Sequence, residues 1–189
     1  MPWKPFANMY CMGIRLNISP GVCIGAALCL LILPARWALG FLLAAMTHEL
    51  AHIAALLLCG GKLHCVVLGM TGARMEASSL TCGQSVFCSL AGPFAGISLL
   101  LLAEVFPEAA LCGLVQGIYN LLPLYPLDGG RVLRLLLPEG VHRGVEVFFL
   151  IFGSGFCLWM SMLSRELGGC LAVFLWWPLI QRKFSCKDG

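Results

Sequence analysis

Long apolar runs recur along the whole 189-residue chain, and they constrain its fold more than any other feature. Hydrophobic residues make up 60% of the chain and charged residues 11%. Soluble domains average roughly 45–50% apolar and about 25% charged residues. The composition therefore predicts an all-α polytopic membrane protein that lies in a lipid bilayer. A nucleic-acid partner is excluded, because no basic stripe with interleaved aromatic residues occurs.

The apolar runs predict about six transmembrane helices in a single membrane-embedded domain over residues 1–189. They cover residues 22–33, 37–59, 84–103, 109–122, 145–163 and 168–180. A spanning helix needs about 20 residues, and only a few spans are as short as about 17. The second run is therefore the clearest span, and the sixth is also compatible with a re-entrant segment.

The positions of the basic residues predict the orientation. With the N-terminus in the cytoplasm and alternating spans, ten of the twelve Lys and Arg residues fall inside, and only Arg36 and Arg165 fall outside. Cytoplasmic loops carry such an excess of Lys and Arg. We therefore expect a multi-pass protein with a cytoplasmic N-terminus.

Three short segments have the alternating or β-rich pattern of strands. They are residues 14–19, 62–68 and 73–77, and the last two flank a Gly-rich turn at 69–72. The orientation above places them on the cytoplasmic side. The sequence thus predicts a small cytoplasmic-side β-hairpin or sheet beside the helices.

The second apolar run contains the motif His48-Glu49-Leu50-Ala51-His52. Residues four apart lie on one helix face, so His48 and His52 can share one metal ion. Glu49 can take a proton from a metal-activated water molecule. The alternative is a chance motif, or polar groups paired inside a helix bundle. Three ionisable groups lie in a stretch of five residues inside one predicted membrane span, and this favours a functional site.

A catalytic zinc site has three protein ligands and an open position for water. The third ligand has to be a His, Glu, Asp or Cys from elsewhere in the chain. Asp128 is the best candidate, because it is the only aspartate before residue 188 and follows the prolines Pro123 and Pro126. The alternative is that Asp128 caps a helix that begins at Gly129-Gly130.

These motifs resemble those of the site-2 protease family of intramembrane zinc metalloproteases. The resemblance rests on His48 to His52, on the segment Asn120-Leu121-Leu122-Pro123-Leu124-Tyr125-Pro126-Leu127-Asp128-Gly129-Gly130-Arg131, and on Ala91-Gly92-Pro93-Phe94-Ala95-Gly96. It covers about residues 14–137, which would form the catalytic core. The strand before the first span is similar to the bacterial sporulation branch, typified by stage IV sporulation protein FB.

The resemblance implies one catalytic zinc ion held by His48, His52 and Asp128, with Glu49 as general base. Asn120 would bind the substrate carbonyl or its oxyanion. The implied substrate is a transmembrane or membrane-tethered protein, such as a sporulation sigma-factor precursor, and membrane inhibitors or regulators are further implied partners. We expect a bacterial cytoplasmic membrane, an active-site opening to the cytoplasm, and neither a CBS nor a PDZ domain.

Three further interpretations accompany this assignment. A non-proteolytic metal-binding or metal-transport protein could use the same ligands, although it has no need for Glu49. An unwound substrate could also pair with the edge of the predicted hairpin, a hypothesis tested by proline at Val66 or Val67. Arg131 and Arg134 are interpreted as anchors that face lipid headgroups.

Overall fold

The structure is a computed structural model, and it describes residues 7–11, 14–18, 20–69 and 72–163. The chain divides into two compact units, Met1–Tyr119 and Asn120–Gly189. The predicted sixth span at 168–180 lies outside the described residues. Each unit is mostly helical in its described part, and the first also contains a β-sheet.

Four strands form one sheet in the first unit. They are β1 (Ala7–Cys11), β2 (Ile14–Ile18), β3 (Leu63–Gly69) and β4 (Gly72–Ala77). The order is β1-β2-β3-β4, and only the β2–β3 pair is parallel. The three predicted strands are confirmed. β1 was missed, because residues 1–13 show no clear alternation.

The proposed proline test was placed on the wrong strand. Val66 of β3 aligns with Leu16 of β2 on one side and with Met75 of β4 on the other. Proline at Val66 or Val67 would therefore interrupt the interior of the sheet rather than one edge. Among the described strands β4 is an edge, so a test of strand addition needs prolines there.

The first unit contains four helices within the described residues. They are α1 (Pro20–Ile32), α2 (Ala35–Leu58), α3 (Cys82–Ser98), which continues as a 3-10 turn (Leu99–Leu102), and α4 (Pro107–Asn120), which ends at the junction of the units. Within the described residues, two stretches are long and apolar enough to cross a membrane, Ala35–Leu58 and Cys82–Leu102. They match the second and third predicted spans. The count of six spans stays a prediction.

The buried face of α2 consists of small residues, which is the reverse of a soluble core helix. Ala38, Gly40 and Ala44 are buried, whereas Leu39 and Leu42 are more than half exposed, at 52% and 55%. Small residues let helix backbones approach closely in a membrane, where lipid contacts the large side chains equally well. This pattern fits a helix that packs through its small face and exposes its large side chains to lipid.

Glycines also set the approach of α4 to its neighbours. A Cβ atom at Gly40 would lie 2.8 Å from the Glu108 backbone carbon, and one at Gly96 would lie 3.0 Å from the Gly113 carbonyl oxygen. A side chain at Gly40 would force the helices apart, and one at Gly96 would be tightly packed. Gly96 thus belongs to a close contact between α3 and α4.

The connection between α2 and α3 is fixed by local signals. Gly60 has φ of 73°, a left-handed conformation that commonly ends a helix. Thr81 and Gln84 form a capping box at the start of α3. The Gln84 side-chain amide also donates a hydrogen bond of 3.2 Å to the Cys59 carbonyl. The start of α3 is therefore tied directly to the end of α2.

The described part of the second unit contains α5 (Asp128–Leu136) and α6 (Glu139–Leu163). α6 begins six residues before the predicted span at 145–163. Its first turns carry charged residues, so they were not part of the apolar run. The headgroup interpretation of Arg134 is wrong: the guanidinium pairs at 3.0 Å with the carboxylate of Glu146, which is only 5% exposed.

Candidate metal centre

The two motif histidines lie one turn apart on α2 and face each other. His48 is buried and His52 is half-buried. Their Nε2 atoms are 3.1 Å apart, and the rings meet edge-on at 85° with centroids 4.7 Å apart. The helical spacing predicted this convergence, and the structure confirms it.

A backbone carbonyl from α3 sets the orientation of His52. The Nδ1 atom of His52 lies 2.7 Å from the Cys88 carbonyl oxygen. A carbonyl oxygen only accepts, so Nδ1–H is the donor, and in the neutral ring Nε2 then carries the lone pair. Metal-binding histidines commonly donate their second ring N–H in this way. The sequence analysis missed Cys88, because a carbonyl contact depends on backbone position and not on residue type.

Gly92 makes room for the His52 ring. A Cβ atom at Gly92 would overlap the ring, at 2.6 Å from Cε1 and 2.8 Å from Cδ2. Gly92 is buried one turn after Cys88 on α3, so the same face supplies both the carbonyl and the space. The sequence analysis singled out Gly92 only through the Gly-Pro segment. Its packing against a candidate ligand is a result of the tertiary structure.

The position of Pro93 explains part of this geometry. Proline has no N–H, so it cannot donate to the carbonyl of Ser89 one turn earlier. Pro93 is nonetheless fully buried inside α3. A local opening of the helix hydrogen-bond ladder is therefore expected beside the carbonyl that holds His52.

The histidine pair fits a metal ion. Two nitrogens at about 2.0–2.1 Å from one tetrahedral zinc are roughly 3.4 Å apart, close to the observed 3.1 Å. Two imidazole lone pairs that converge on one point repel each other unless a proton or a cation lies between them. Because His52 donates through Nδ1, the lone pair of the neutral ring lies on Nε2, the atom that faces His48. The donor set is thus suited to zinc.

Glu49 is half-buried on α2, next to His48 in the chain. A carboxylate beside the histidines has the chemistry of a proton acceptor. Asn120 is the last residue of α4 and is also half-buried. The roles of Glu49 as general base and of Asn120 as a substrate-binding residue stay predictions.

Asp128 is the first residue of α5 in the second unit, and it is buried. The N-cap position belongs to Leu127, so the helix-cap interpretation of Asp128 is wrong. Its carboxylate lies 3.7 Å from the Arg131 guanidinium. A negative charge in the first turn is favoured by the helix dipole. Asp128 offers one carboxylate oxygen as a metal ligand, as His48 and His52 each offer one ring nitrogen.

Comparison with known proteins agrees with this chemistry. The model of peptidase family M50 matches residues 78–161, a stretch that contains Gly92 and Asp128. A zinc metalloprotease of Methanocaldococcus jannaschii is 29% identical over 146 residues, which are 62% of this chain and 43% of that protein. A provisionally named zinc metalloprotease of Synechocystis is 26% identical over 171 residues, or 76% of this chain and 45% of that protein. The chain thus spans less than half the length of these curated relatives.

The fold has a match among solved structures. A site-2 protease from Methanocaldococcus jannaschii superposes with a TM-score of 0.63 over 93% of this chain and 94% of that chain, at 20% identity. This likeness concerns the fold. Membership of the sporulation branch stays a prediction. The chain is thus similar to peptidase family M50 over residues 78–161, is similar in sequence to two zinc metalloproteases, and shares the fold of a site-2 protease.

Proposed function

We propose that this chain is an intramembrane zinc metalloendopeptidase that cleaves a transmembrane or membrane-tethered protein. The observation that carries the proposal is the convergence of the His48 and His52 Nε2 atoms, 3.1 Å apart, on an apolar helix long enough to span a membrane. Glu49 follows directly in the same motif. His48, His52 and Asp128 are side chains that could hold a metal ion, and in this proposal they hold one catalytic zinc.

The protein's own groups have separate tasks in peptide hydrolysis. Zinc, when bound, supplies a Lewis acid that makes water acidic enough to react at neutral pH. Glu49 accepts a proton from that water and later returns it to the leaving amine. Asn120 donates from its side-chain amide to the scissile carbonyl or the oxyanion that develops there. The Cys88 carbonyl favours the neutral tautomer of His52 that carries its proton on Nδ1.

The location of the motif argues for a substrate within the bilayer. Ionisable groups in the middle of a spanning helix are costly and commonly mark functional sites. A helical substrate has to unwind before a peptide bond is exposed, and β4 offers an edge at which an unwound strand can pair. A cytoplasmic opening and a sporulation sigma-factor precursor as substrate are the further expectations of this proposal.

Substitution of the proposed general base tests the function. Glu49→Gln keeps the size of the side chain and both histidines, so zinc should stay bound at one ion per chain. Cleavage of membrane-tethered test proteins should fall by about 10²–10⁴-fold, the usual contribution of a general base. The matched control is Glu139→Gln, an exposed acid at the start of α6, which should cleave normally. Zinc content is measured by metal analysis and cleavage by gel.

Unchanged cleavage by Glu49→Gln would contradict the assignment of the base. A chain that binds zinc and moves it across vesicle membranes, with or without Glu49, would favour the metal-transport alternative.

A further inference from the structure

The segment that leads into Asp128 is held by a group of charged and aromatic side chains in the second unit. We propose that Arg134 is a positioning residue, which fixes the turn before Asp128 and so sets the zinc affinity. This inference rests on the proposed function, in which Asp128 is a zinc ligand. The three side chains involved are Tyr125, Arg134 and Glu146, named here the Arg134 clamp.

The first contact of the clamp joins α5 to α6. The Arg134 Nε atom donates to Glu146 Oε1 at 3.0 Å, and its Nη2 atom donates to Oε2 at 3.4 Å. The Glu146 side chain is 7% exposed and that of Arg134 26%. A two-point pair of this kind fixes the plane of the guanidinium as well as its position.

The second contact joins the same guanidinium to the turn. The Arg134 Cζ atom lies 3.8 Å from the centroid of the Tyr125 ring, well within the range of about 6 Å for a cation–π contact. Tyr125 is three residues before Asp128. Arg134 therefore connects the turn, α5 and α6 through a single planar group.

Backbone packing gives the turn its other support. A Cβ atom at Gly130 would overlap the backbone of Leu124 and Tyr125, and one at Gly129 would lie 2.7 Å from the Leu122 carbonyl oxygen. The turn thus lies directly on the first residues of α5. Glycine contacts set its distance from the helix, and the Arg134 guanidinium lies over the Tyr125 ring of the turn.

The chemistry explains why an ion pair serves this purpose in place of apolar packing. Removing one partner of a buried pair leaves an uncompensated charge, whereas replacing both with apolar groups is often neutral for stability. The pair therefore adds little to folding but fixes a geometry. Residues that orient metal ligands typically change metal affinity by about 10–100-fold when they are replaced.

The test is the double variant Arg134→Met with Glu146→Leu, in the full chain in detergent micelles. It removes both charges at once, so the fold should persist by helix content and thermal melting. Zinc affinity, measured by competition with a chelator, should fall about 10–100-fold. With saturating zinc, kcat should fall more than KM rises, because Asp128 rather than the substrate is displaced.

The matched control is Arg143→Met with Glu139→Leu. This pair is also an Arg–Glu contact, at 2.8 Å, but its side chains are 66% and 73% exposed and it lies within the first turns of α6. Zinc affinity and kcat should stay at the level of the original chain. Equal zinc affinity in the Arg134 and Arg143 double variants would overturn the inference.

If the double variant does not fold, a second pair of variants tests whether Arg134 sets the zinc affinity. Tyr125→Phe keeps the ring under the guanidinium and should keep the zinc affinity, whereas Tyr125→Leu should weaken it about tenfold. Equal affinity in both would again overturn the inference. If the original chain binds zinc but cleaves nothing, the protease proposal fails and these affinities still decide the role of Arg134. If it binds no zinc, both proposals fail.

Discussion

The histidine pair and the Asp128 segment are held by different kinds of interaction. His52 is oriented by a backbone carbonyl and by the space above a glycine. The turn before Asp128 is held by an arginine, a glutamate and an aromatic ring. The helix that bears the histidines is a candidate membrane span, and α5 is not.

This difference follows from the two surroundings. A carbonyl and a glycine add no charge, so they orient a ligand in an apolar span at little desolvation cost. An irregular turn lacks the regular hydrogen bonds of a helix, and strong side-chain contacts can replace them. The comparison predicts that backbone packing governs the histidines and that buried charge governs the aspartate.

Loss of a histidine ligand should have the largest effect. Zinc binds four-ligand protein sites with about 10–16 kcal/mol, or about 3 kcal/mol for each ligand. His52→Ala should therefore weaken zinc binding by roughly a hundredfold or more and abolish cleavage. Thr47→Val is the control, because the Thr47 hydroxyl bonds only locally, to the Leu43 carbonyl at 2.8 Å. Metal analysis after dialysis measures the difference; full zinc retention by His52→Ala would remove this histidine from the site.

Addition of one methyl group at Gly92 should have the next largest effect. The new Cβ overlaps the His52 ring, so the ring has to turn or α2 and α3 have to separate. Overpacking of this kind costs about 1–3 kcal/mol, and zinc affinity should fall about tenfold or more. Gly83→Ala on the same helix is the matched control, since nothing beyond its own stretch of helix backbone and its chain neighbours lies within 4 Å of its Cβ position.

Thermal melting and chelator competition, measured on both glycine variants, distinguish the two sites. Gly83→Ala should be neutral or more stable by up to about 1 kcal/mol. A Gly92→Ala protein with the zinc affinity of Gly83→Ala would show that the packing of α3 does not govern His52.

Removal of the Arg131 charge should have the smallest effect. Arg131 lies 3.7 Å from the Asp128 carboxylate, but its side chain is 47% exposed. Exposed ion pairs contribute about 0–1 kcal/mol, so Arg131→Gln should change zinc affinity by less than about fivefold. Isothermal titration or chelator competition measures this. A larger loss than in the Arg134 double variant would reverse the order of importance within the second unit.

The sequence predicted much of the site because its signals are local. The spacing of His48 and His52 defines one helix face, and the structure places their nitrogens 3.1 Å apart. The apolar run at 37–59 corresponds to α2, which covers Ala35–Leu58. The strands β2, β3 and β4 followed from alternation within each segment.

The predictions that failed concern partners that are distant in the chain. Arg134 and Glu146 are twelve residues apart and lie on different helices, so no local pattern indicated their pairing. The interior position of β3 depends on β2, almost fifty residues earlier. Such pairings are decided by packing, which one sequence does not display.

The sequence by itself determined the apolar helices, the candidate metal-binding pair on α2 and the acid beside it. These features follow from hydropathy and helical spacing, which act over a few residues. Only the tertiary structure decided that the Cys88 carbonyl orients His52, that Gly92 must lack a side chain, and that Arg134 holds Tyr125. The physical reason is that each of these contacts joins elements whose approach is set by helix packing. A contact to a backbone carbonyl, or the space that a neighbouring ring occupies, cannot be recognised from the residue type alone.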